Sequence, residues 1–418
     1  AAEGYIYTLP RKGYFVANLE KTPTKLPPPQ HQKEAQKKIE PEYFADFVRN
    51  SVAPDTFPFS VWAKLLREVT NTEKEEALLA ETSSGGVDKL REAISKHLYQ
   101  FRGMSVEPEQ IIVGAGTQYL YGIIIQLLGR NLIYGVEDPG YPRLTQIYKS
   151  NDVQCRHIPM DDQGVIPEDV ESSGTDILHI TPSHHFPTGI VMPVSRRYEL
   201  LSWAGLDENH YIIEDDYDCE FRLFGKPIPA LQSIDVMEKV IYINTFSKSL
   251  APGLRISYIV LPKHLAERFY SKLGFYSCTV PTFEQFTLAR FIEEGYFEKH
   301  INRMRTYYRK QRDQILKLIR QGPLSPFVKI REEDAGLHFL LEVDTDVSDE
   351  ELINSARRGG IRITSLSQYY HKKQAQPSHT LIVNYSGIEP NKIEPATQKL
   401  CDSMLLICTN DHHSKINT

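Results

Sequence analysis

The amino-acid sequence predicts an α/β protein with a mostly parallel central sheet, followed by a smaller C-terminal α+β unit. From Ile111 onward, short apolar strands alternate with stretches of helical character, which is typical of a parallel sheet covered by helices on both faces. Polar residues follow these strands, at the carboxyl ends where ligands bind in such sheets. A long helical stretch over residues 283–321 then leads to two apolar strands, GLHFLLEV and TLIVNY, which define the C-terminal unit.

Five strand and turn segments carry the predicted sheet. The first has a strand at residues 111–113, a glycine turn, and a helix that opens at Thr117. The second has a strand at residues 132–136 before a turn at Pro139 and Gly140. The same scheme is repeated in the segments DILHITPSHHFPTG, HYIIEDDYDCEF and KVIYINTFSKSL.

Composition limits the class of protein. The chain has 418 residues, of which 41% are hydrophobic and 24% charged, which is enough for a large core and two or three domains. No apolar run reaches the ~20 residues that cross a bilayer, and no signal-peptide pattern is present, so we expect a cytoplasmic protein without membrane contact. The net charge of −6 gives no overall attraction to nucleic acid. Scattered cysteines predict neither disulfides nor a zinc site: Cys155, Cys219, Cys278, Cys401 and Cys408.

The N-terminal residues differ from the rest of the chain. Two short strands are predicted at residues 5–9 and 14–19, around a basic turn at residues 11–13. A hairpin of this size has no core of its own. Residues 22–42 are rich in proline, lysine and glutamine, so we expect a linker there.

Lys248 follows an apolar strand, where most lysines are solvated loop residues. Its companions argue for another role. Asp215 follows another strand, Gly116 lies in a tight turn before a helix N-terminus, and Arg255 stands downstream of the lysine. A lysine for a Schiff base, a carboxylate for a pyridinium proton, and a helix N-terminus with an arginine for a phosphate are the parts that pyridoxal phosphate requires. The sequence therefore predicts a site for this cofactor.

The chemistry assigns a role to each side chain. Only a neutral amine attacks an aldehyde, so Lys248 should lie where burial or positive charge lowers its pKa. Asp215 keeps the ring nitrogen protonated, and Tyr141 stacks on the ring face. The phosphate is expected to bind backbone N–H, hydroxyl and guanidinium donors from Thr117, Thr245, Ser247 and Arg255.

Two other segments of the sequence carry charge patterns that are typical of functions other than cofactor binding. The carboxylates of EDDYD could hold Mg²⁺, but no phosphate-binding loop of a nucleotide hydrolase accompanies them, and we predict no metal. The basic stretch RMRTYYRKQR, residues 303–312, could indicate nucleic acid. A solvated charged face of a long helix is the preferred interpretation.

Five motifs resemble those of a known family: VGAGTQ, EDPGYPR, TPSHHFPTGIVMPVSRR, IIEDDYDCEF and TFSKSLAPGLRISY. They resemble fold-type-I aminotransferases and, more closely, the effector-binding domain of the MocR/GabR family of bacterial transcription regulators. The resemblance spans residues 57–400. It implies the pyridoxal-phosphate-dependent transferase fold of type I, with a seven-stranded, mostly parallel sheet in a large domain (51–290), a small domain (291–410) and a tail (411–418).

The resemblance also implies roles for individual residues. Lys248 is expected to bond covalently to the cofactor, Asp215 to contact the pyridine nitrogen, and Tyr217 to contact the ring hydroxyl. The VGAGTQ turn is expected to add three cofactor-binding residues, Gly116, Thr117 and Gln118. A head-to-tail homodimer is implied as well.

Members of this family carry an N-terminal winged helix-turn-helix. Residues 1–20 resemble the end of such a domain and its wing, and residues 21–50 resemble the linker that follows. We therefore expect DNA binding only through an N-terminal domain whose recognition helix precedes Ala1.

Two departures from aminotransferase enzymes bear on activity. Phe186 stands where such enzymes have asparagine before PTG, so a hydrogen bond to the ring hydroxyl is absent or is replaced by His184 or His185. The arginine that binds a substrate carboxylate is expected in IVNYSGIEP, where Ser386 and Gly387 stand instead.

Arg143, in GYPRL, aligns with a second effector-binding arginine of the family and is the predicted effector contact. We therefore expect a sensor of a small amine, an amino acid or pyridoxal phosphate itself, with little or no transaminase turnover. The alternative is an active aminotransferase of class I/II, because the lysine and the pyridine-binding aspartate are both present.

Overall fold

The computed structural model describes residues 5–17, 42–49, 56–223, 229–334, 336–372 and 378–416, with residues 410–416 as backbone only. The chain forms two compact units, residues 1–42 and 43–418. Within the described ranges, no helix combines the length and the apolar composition that crossing a membrane requires.

The first unit contains the predicted hairpin. Strand β1 (Ile6–Leu9) pairs in antiparallel fashion with strand β2 (Gly13–Val16). The rings of Tyr7 and Phe15 face each other across the pair with centroids 5.8 Å apart. The second strand ends at Val16, and residues 18–41, which include most of the predicted linker, lie outside the described residues.

The second unit contains fourteen of the described strands. In chain order they are β3 (Ala45–Asp46), β4 (Ile111–Gly114), β5 (Ile133–Asp138), β6 (Gln154–Asp161), β7 (Gly164–Val165), β8 (Ile177–Ile180), β9 (Tyr211–Asp215), β10 (Val240–Thr245), β11 (Ser257–Val260), β12 (Val328–Arg331), β13 (His338–Val343), β14 (Ile361–Arg362), β15 (Thr364–Ser365) and β16 (Thr380–Asn384).

The α-helices described in this unit are α1 (Phe59–Thr72), α2 (Glu75–Leu79), α3 (Asp88–Arg102), α4 (Thr117–Leu128), α5 (Pro142–Ser150), α6 (Pro167–Ser172), α7 (Val194–Ala204), α8 (Phe246–Ser249), α9 (Lys263–Leu273), α10 (Thr282–Glu293), α11 (Tyr296–Gln321), α12 (Asp349–Arg358) and α13 (Ile393–Ile416). Short 3-10 turns connect several of them.

The central sheet has the strand order β4-β11-β10-β9-β8-β5-β6-β7. Strands β10, β9, β8, β5 and β6 are parallel to their neighbours in this row, whereas β11 runs antiparallel to both β10 and β4. Without the two-residue strand β7, the sheet has the seven strands that were expected. The predicted α/β fold class with a mostly parallel sheet is confirmed.

Both faces of the central sheet are buried at its middle strands β8 and β10, whereas strand β6 near the edge is polar and partly exposed. All six residues of β10 are buried. Ile241 and Ile243 belong to a core cluster that includes residues of α4 and α9. Tyr242 belongs to a second cluster, with residues of α3 and α11. This alternation of side chains fixes which face of the sheet each residue after the strand can reach.

A second sheet, β12-β13-β16-β15, forms the C-terminal α+β unit with α12 and α13. The strands GLHFLLEV and TLIVNY of the prediction are β13 and β16, which lie side by side in antiparallel pairing. Ala45 and Asp46 of β3 pair with β14, and Phe47 is fully buried, so the end of the predicted linker packs on this unit. Helix α13 continues to Ile416, into the predicted tail.

The predicted helical stretch over residues 283–321 is helical but consists of two helices. Helix α10 ends at Glu293 and helix α11 begins at Tyr296. Gly295 separates them with a left-handed backbone, φ +74°. Glycine adopts this conformation without steric cost and commonly marks the end of a helix, so the apolar pattern continues through a break in the backbone.

The basic stretch at residues 303–312 lies on α11 and contacts the main body. Arg305 Nε donates to the carbonyl of Glu220 at 2.6 Å, and Arg309 Nη2 donates to the carbonyl of Leu223 at 2.5 Å. These bonds hold the segment that follows β9. The interpretation as a purely solvated face was therefore incomplete.

Candidate functional site

The polar residues singled out in the sequence meet at the carboxyl ends of β9 and β10. Asp215 is the last residue of β9 and pairs with Ile243 of the parallel strand β10. Lys248 lies in the short helix α8, which begins directly after β10. The side chain of Thr245 caps this helix by accepting a hydrogen bond from the Ser247 N–H at 3.1 Å. Strand pairing and this capped turn therefore bring Lys248 and Asp215 to one end of the sheet.

The amine of Lys248 is desolvated. Burial lowers the pKa of Lys248 to about 8, and the neighbouring charge of Asp218 partly opposes this shift. An ordinary lysine has a pKa near ~10.4, so Lys248 carries far more neutral amine at neutral pH than a surface lysine does. A neutral amine is the form that attacks a carbonyl carbon.

Asp215 receives its hydrogen bonds on one oxygen. The Tyr121 hydroxyl donates to Asp215 Oδ2 at 2.5 Å, and His179 Nε2 lies 3.5 Å from the same oxygen. Asp215 Oδ1 is buried and has no hydrogen-bond partner among the described residues. Nor does any described lysine or arginine form an ion pair with this carboxylate. The unpartnered oxygen Oδ1 can therefore accept a hydrogen bond from one cationic N–H donor.

Tyr217 follows two residues later and faces a histidine. Its hydroxyl lies 3.3 Å from His184 Nδ1, and the same nitrogen lies 2.8 Å from Asp218 Oδ2. Burial, then the charges of Asp218 and Asp215, raise the pKa of Tyr217 well above its ordinary value. Tyr217 therefore remains a phenol that can donate or accept a hydrogen bond. His184, one of two predicted replacements for the missing asparagine, thus contacts the residue expected at the ring hydroxyl.

Arg255 and Gly116 form a cradle at the N-terminus of α4. Arg255 has a left-handed backbone, φ +55°, and its Nη2 donates to the Ala115 carbonyl at 3.2 Å. A Cβ atom at Gly116 would collide with the Arg255 guanidinium, and Gly116 itself has φ +96°. Only glycine satisfies both conditions. Free N–H groups at a helix N-terminus next to a guanidinium group suit a phosphate.

The other predicted phosphate contacts occupy different environments. Thr245 is buried, and its Oγ1 accepts hydrogen bonds from the Ser247 N–H and, at 2.7 Å, from the Ser257 hydroxyl. Ser247 is partly buried beside Lys248, and Gln118 is exposed on the first turn of α4. Thr245 has a clear structural role as a helix cap, and its contact with a phosphate stays a prediction.

Tyr141 and Phe186 belong to a group of aromatic rings that pack against one another. Tyr141 is 44% exposed, as a residue that stacks on a ligand ring must be. Phe186 contacts three rings edge to face, with centroid distances of 6.4 Å to Tyr141, 5.2 Å to Tyr369 and 5.5 Å to His338. His338 and Tyr369 belong to the C-terminal unit. Phe186 therefore replaces a polar asparagine with an apolar contact between the two sheets.

The predicted effector contacts are less enclosed. Arg143 is exposed on the first turn of α5 and has no ion-pair or hydrogen-bond partner among the described residues. Strand β16 reads TLIVN and carries no arginine. Ser386, which follows it, is buried and donates to Asn384 Oδ1 at 2.8 Å. His185 is also engaged, with its Nδ1 2.7 Å from the Thr188 hydroxyl.

Sequence reasoning missed several residues of the site. Tyr121 and His179 contact Asp215, and Asp218 lies beside Lys248 and His184. Tyr121 stands four residues after Thr117 and so lies on the same side of α4 as the start of the helix. That spacing was visible in the sequence, whereas the contact of His179 depends on the neighbouring strand β8.

The residues present fit pyridoxal phosphate. Lys248 offers a partly neutral amine, Asp215 offers a buried Oδ1 that has no partner among the described residues, and Arg255 with Gly116 offers an anion cradle. A divalent metal does not fit as well. Glu214 accepts hydrogen bonds from the N–H groups of Leu231 and Gln232, so the acidic residues of EDDYD diverge. In the parts of the chain that the structure describes, no three acidic, histidine or cysteine side chains converge on one point.

Comparison with known proteins agrees with this geometry. The family described as aminotransferase class I and II matches residues 50–400. The HTH-type transcriptional regulator YdeL of Bacillus subtilis (strain 168) is 39% identical over 408 residues, which cover 96% of this chain and 85% of YdeL. The probable rhizopine catabolism regulatory protein MocR of Rhizobium meliloti is 34% identical, over 84% of this chain and 70% of MocR. The chain belongs to the MocR/GabR family.

Solved structures show the same fold. The kynurenine aminotransferase of Pyrococcus horikoshii, crystallised with PMP, superposes with a TM-score of 0.74 at 24% identity, over 87% of this chain and 91% of that one. This MocR/GabR regulator therefore carries an aminotransferase-like domain of fold type I. The regulators YdeL and YhdI of Bacillus subtilis (strain 168) match over 96% of this chain.

Proposed function

We propose that this member of the MocR/GabR family binds pyridoxal 5′-phosphate at the ends of β9 and β10 and uses it to sense a small effector. One observation carries the proposal: a desolvated lysine and a partly buried aspartate, which pairs with no lysine or arginine among the described residues, lie at one end of the sheet. Both groups are costly for a folded protein, because burial disfavours the charged forms of lysine and of carboxylate. A ligand with an aldehyde and a pyridinium N–H satisfies both.

The chain's own residues divide the work. Lys248 supplies the amine that bonds to the aldehyde, and Asp215 Oδ1 accepts from the ring nitrogen. Tyr217, oriented by His184, contacts the ring hydroxyl, and Tyr141 covers one ring face. Arg255, the start of α4 and Ser247 hold the phosphate. When bound, the cofactor supplies an electron-withdrawing ring and a carbon that exchanges one amine for another.

The effector is proposed to be a small amine, an amino acid or pyridoxal phosphate itself. An aminotransferase needs a firm clamp on the substrate carboxylate, because the Cα–H bond must be held at a fixed angle to the ring. Arg143 is exposed, and β16 carries no arginine, which supports weak clamping and slow proton transfer. We therefore infer a sensor with little or no transaminase turnover.

The partners follow from the family. The relative YdeL is an HTH-type transcriptional regulator, so we propose operator DNA as the macromolecular partner, bound through a helix-turn-helix N-terminal to the aminotransferase-like domain. A regulator that acts on DNA works where the DNA is, which supports a cytoplasmic location. We also propose a homodimer, to be tested by sedimentation equilibrium of the full chain.

The experiment that tests cofactor binding uses two lysine variants. The wild-type chain mixed with pyridoxal phosphate is expected to gain a visible absorption band that survives gel filtration, and Lys248→Ala is expected to lose it. Lys263→Ala is the control, because Lys263 is an exposed lysine paired only with Glu107 at 2.8 Å. A band that persists in Lys248→Ala would refute the assignment.

An active aminotransferase is the second candidate, and the complete pair of Lys248 and Asp215 favours it. A panel of amino acids with excess keto acid separates the two functions. Sustained turnover at ordinary enzyme rates of ~1 per second or more would establish the enzyme. A spectral change without repeated turnover would establish the sensor.

A further inference from the structure

Tyr121 lies behind the carboxylate that is proposed to face the ring nitrogen. Its hydroxyl is 2.5 Å from Asp215 Oδ2, and its side chain is 4% exposed. The ring packs edge to face against His179, with centroids 5.2 Å apart. Tyr121 belongs to α4, the helix whose first residues form the anion cradle, and it was not predicted as a site residue.

The direction of this hydrogen bond is fixed. A carboxylate can only accept, and burial together with the nearby Asp215 charge raises the pKa of Tyr121 well above its ordinary value. Tyr121 therefore stays protonated and donates a hydrogen bond to Asp215 Oδ2. Hydrogen bonds from a donor to a charged acceptor are among the stronger ones in proteins.

This bond has a consequence for Asp215. Rotation of the carboxylate would break the bond, so the bond fixes which oxygen is left over. That oxygen, Oδ1, has no partner among the described residues.

We propose that Tyr121 is a positioning residue that fixes the Asp215 carboxylate and aims its Oδ1 at the cofactor ring nitrogen. The proposal rests on the proposed function, because it needs the ring nitrogen to be the partner of Oδ1. It assigns to α4 a second contact with the cofactor site, separate from the phosphate cradle.

The test is Tyr121→Phe in the full chain, with Tyr134→Phe as its match. Tyr134 is fully buried as well, and its hydroxyl donates to the Gly129 carbonyl at 3.2 Å, so the control loses a buried hydroxyl that does not touch Asp215. Cofactor affinity is measured by absorbance titration. The protonation of the ring nitrogen is measured from its ¹⁵N chemical shift in ¹⁵N-labelled pyridoxal phosphate.

Tyr121→Phe is expected to weaken cofactor binding about tenfold, the usual effect of losing one hydrogen bond to a charged group. It is also expected to move the ¹⁵N shift toward the unprotonated value, because a carboxylate that can rotate no longer holds Oδ1 against the ring N–H. Tyr134→Phe is expected to change neither. Thermal unfolding of the two apo variants shows whether both are folded.

Each other result has a defined meaning. Wild-type affinity and an unchanged ¹⁵N shift in Tyr121→Phe overturn the positioning role while leaving the proposed function intact. Equal changes in both variants also overturn it, because the effect is then general packing. A wild-type chain that binds no cofactor rejects the proposed function and this inference together. If Tyr121→Phe does not fold, Tyr121 is a core residue and the positioning role is rejected.

Discussion

Asp215 and Asp216 are neighbours in the sequence but lie in opposite electrostatic surroundings. Asp215 faces Tyr121 and His179, with no described cation beside it. Asp216 Oδ2 lies 2.7 Å from Arg102 Nη2 and accepts from the Tyr242 hydroxyl at 2.7 Å. Side chains of successive strand residues point to opposite faces, so two adjacent carboxylates at the end of a strand serve two different layers.

The difference between the two sites is the counter-charge. Each aspartate has one buried oxygen without a hydrogen-bond partner, so an unpaired oxygen alone does not identify a ligand site. Asp216 forms a buried ion pair with Arg102, and both side chains are about 1% exposed. Asp215 lacks such a partner among the described residues. On the face that Asp216 occupies, the carboxylate has a cationic partner in Arg102. On the face that Asp215 occupies, no described lysine or arginine pairs with the carboxylate.

The largest expected effect is on the buried ion pair of Asp216 and Arg102. Asp216→Ala leaves Arg102 buried without its carboxylate, and breaking a buried pair in this way costs ~3–5 kcal/mol. We expect a loss of that size in the free energy of unfolding, measured on the apo chain by urea denaturation. Asp215→Ala is the matched variant and should cost ~1 kcal/mol, since it breaks only a hydrogen bond. Equal losses in the two variants would contradict the comparison.

The second prediction reverses the order of the two aspartates. Asp215→Ala is expected to weaken cofactor binding by roughly 100-fold, because a charged hydrogen bond and a counter-charge are lost together. Asp216→Ala, measured where it remains folded, should keep the affinity within a few-fold of wild type. Absorbance titration with pyridoxal phosphate measures both. If Asp216→Ala weakened cofactor binding more than Asp215→Ala, the ring nitrogen would contact Asp216 rather than Asp215, and the assignment would be wrong.

The third prediction uses the pKa of Lys248, which burial lowers to about 8. The rate at which the apo chain reacts with excess pyridoxal phosphate should rise about tenfold between pH 7 and pH 9 and level off above that, because the neutral fraction saturates. Stopped-flow absorbance measures this rate. A lysine with an ordinary pKa would show a continuing rise of about tenfold per pH unit across this range.

The smallest expected effect concerns Glu220, a buried residue near Asp216. Burial raises the pKa of Glu220 to about 7, above its unfolded value. The folded state therefore holds its proton more tightly, and this contribution to stability is full below the unfolded pKa and is lost as the pH rises through 7. Glu220→Gln should be more stable than wild type at pH 8 by on the order of 1 kcal/mol, and not at pH 4. Thermal unfolding at the two pH values measures the difference, and a gain at pH 4 would contradict it.

The sequence was sufficient where function depends on spacing along one strand and its turn. Asp215 ends β9 and Lys248 follows β10, two strands with a clear apolar pattern, and the parallel pairing of these strands brings both residues to one end of the sheet. It was insufficient where contacts join separate elements. Tyr121 and His179 come from α4 and β8, and no pattern within either segment reveals their shared partner.

Backbone breaks were also hidden from the sequence. The apolar pattern continues across Gly295 because both helices bury apolar side chains. The positive φ of Gly295 nevertheless ends the helical backbone between them. The antiparallel direction of β11 was equally invisible, since a fully buried strand has the same composition in either direction. The departures at Phe186 and β16 were visible as letters, but their ring contacts required the fold.

Helix α4 gives the site a fixed length scale. Its first turn lies against the Arg255 cradle, and Tyr121, four residues later, reaches Asp215. Four residues of α-helix span about 6 Å, and a helix does not stretch. The distance between the anion end and the carboxylate end of the site is therefore set by one rigid rod. Compounds that keep the aldehyde but lack the phosphate, or carry it on a longer arm, can satisfy only one end of that rod at a time.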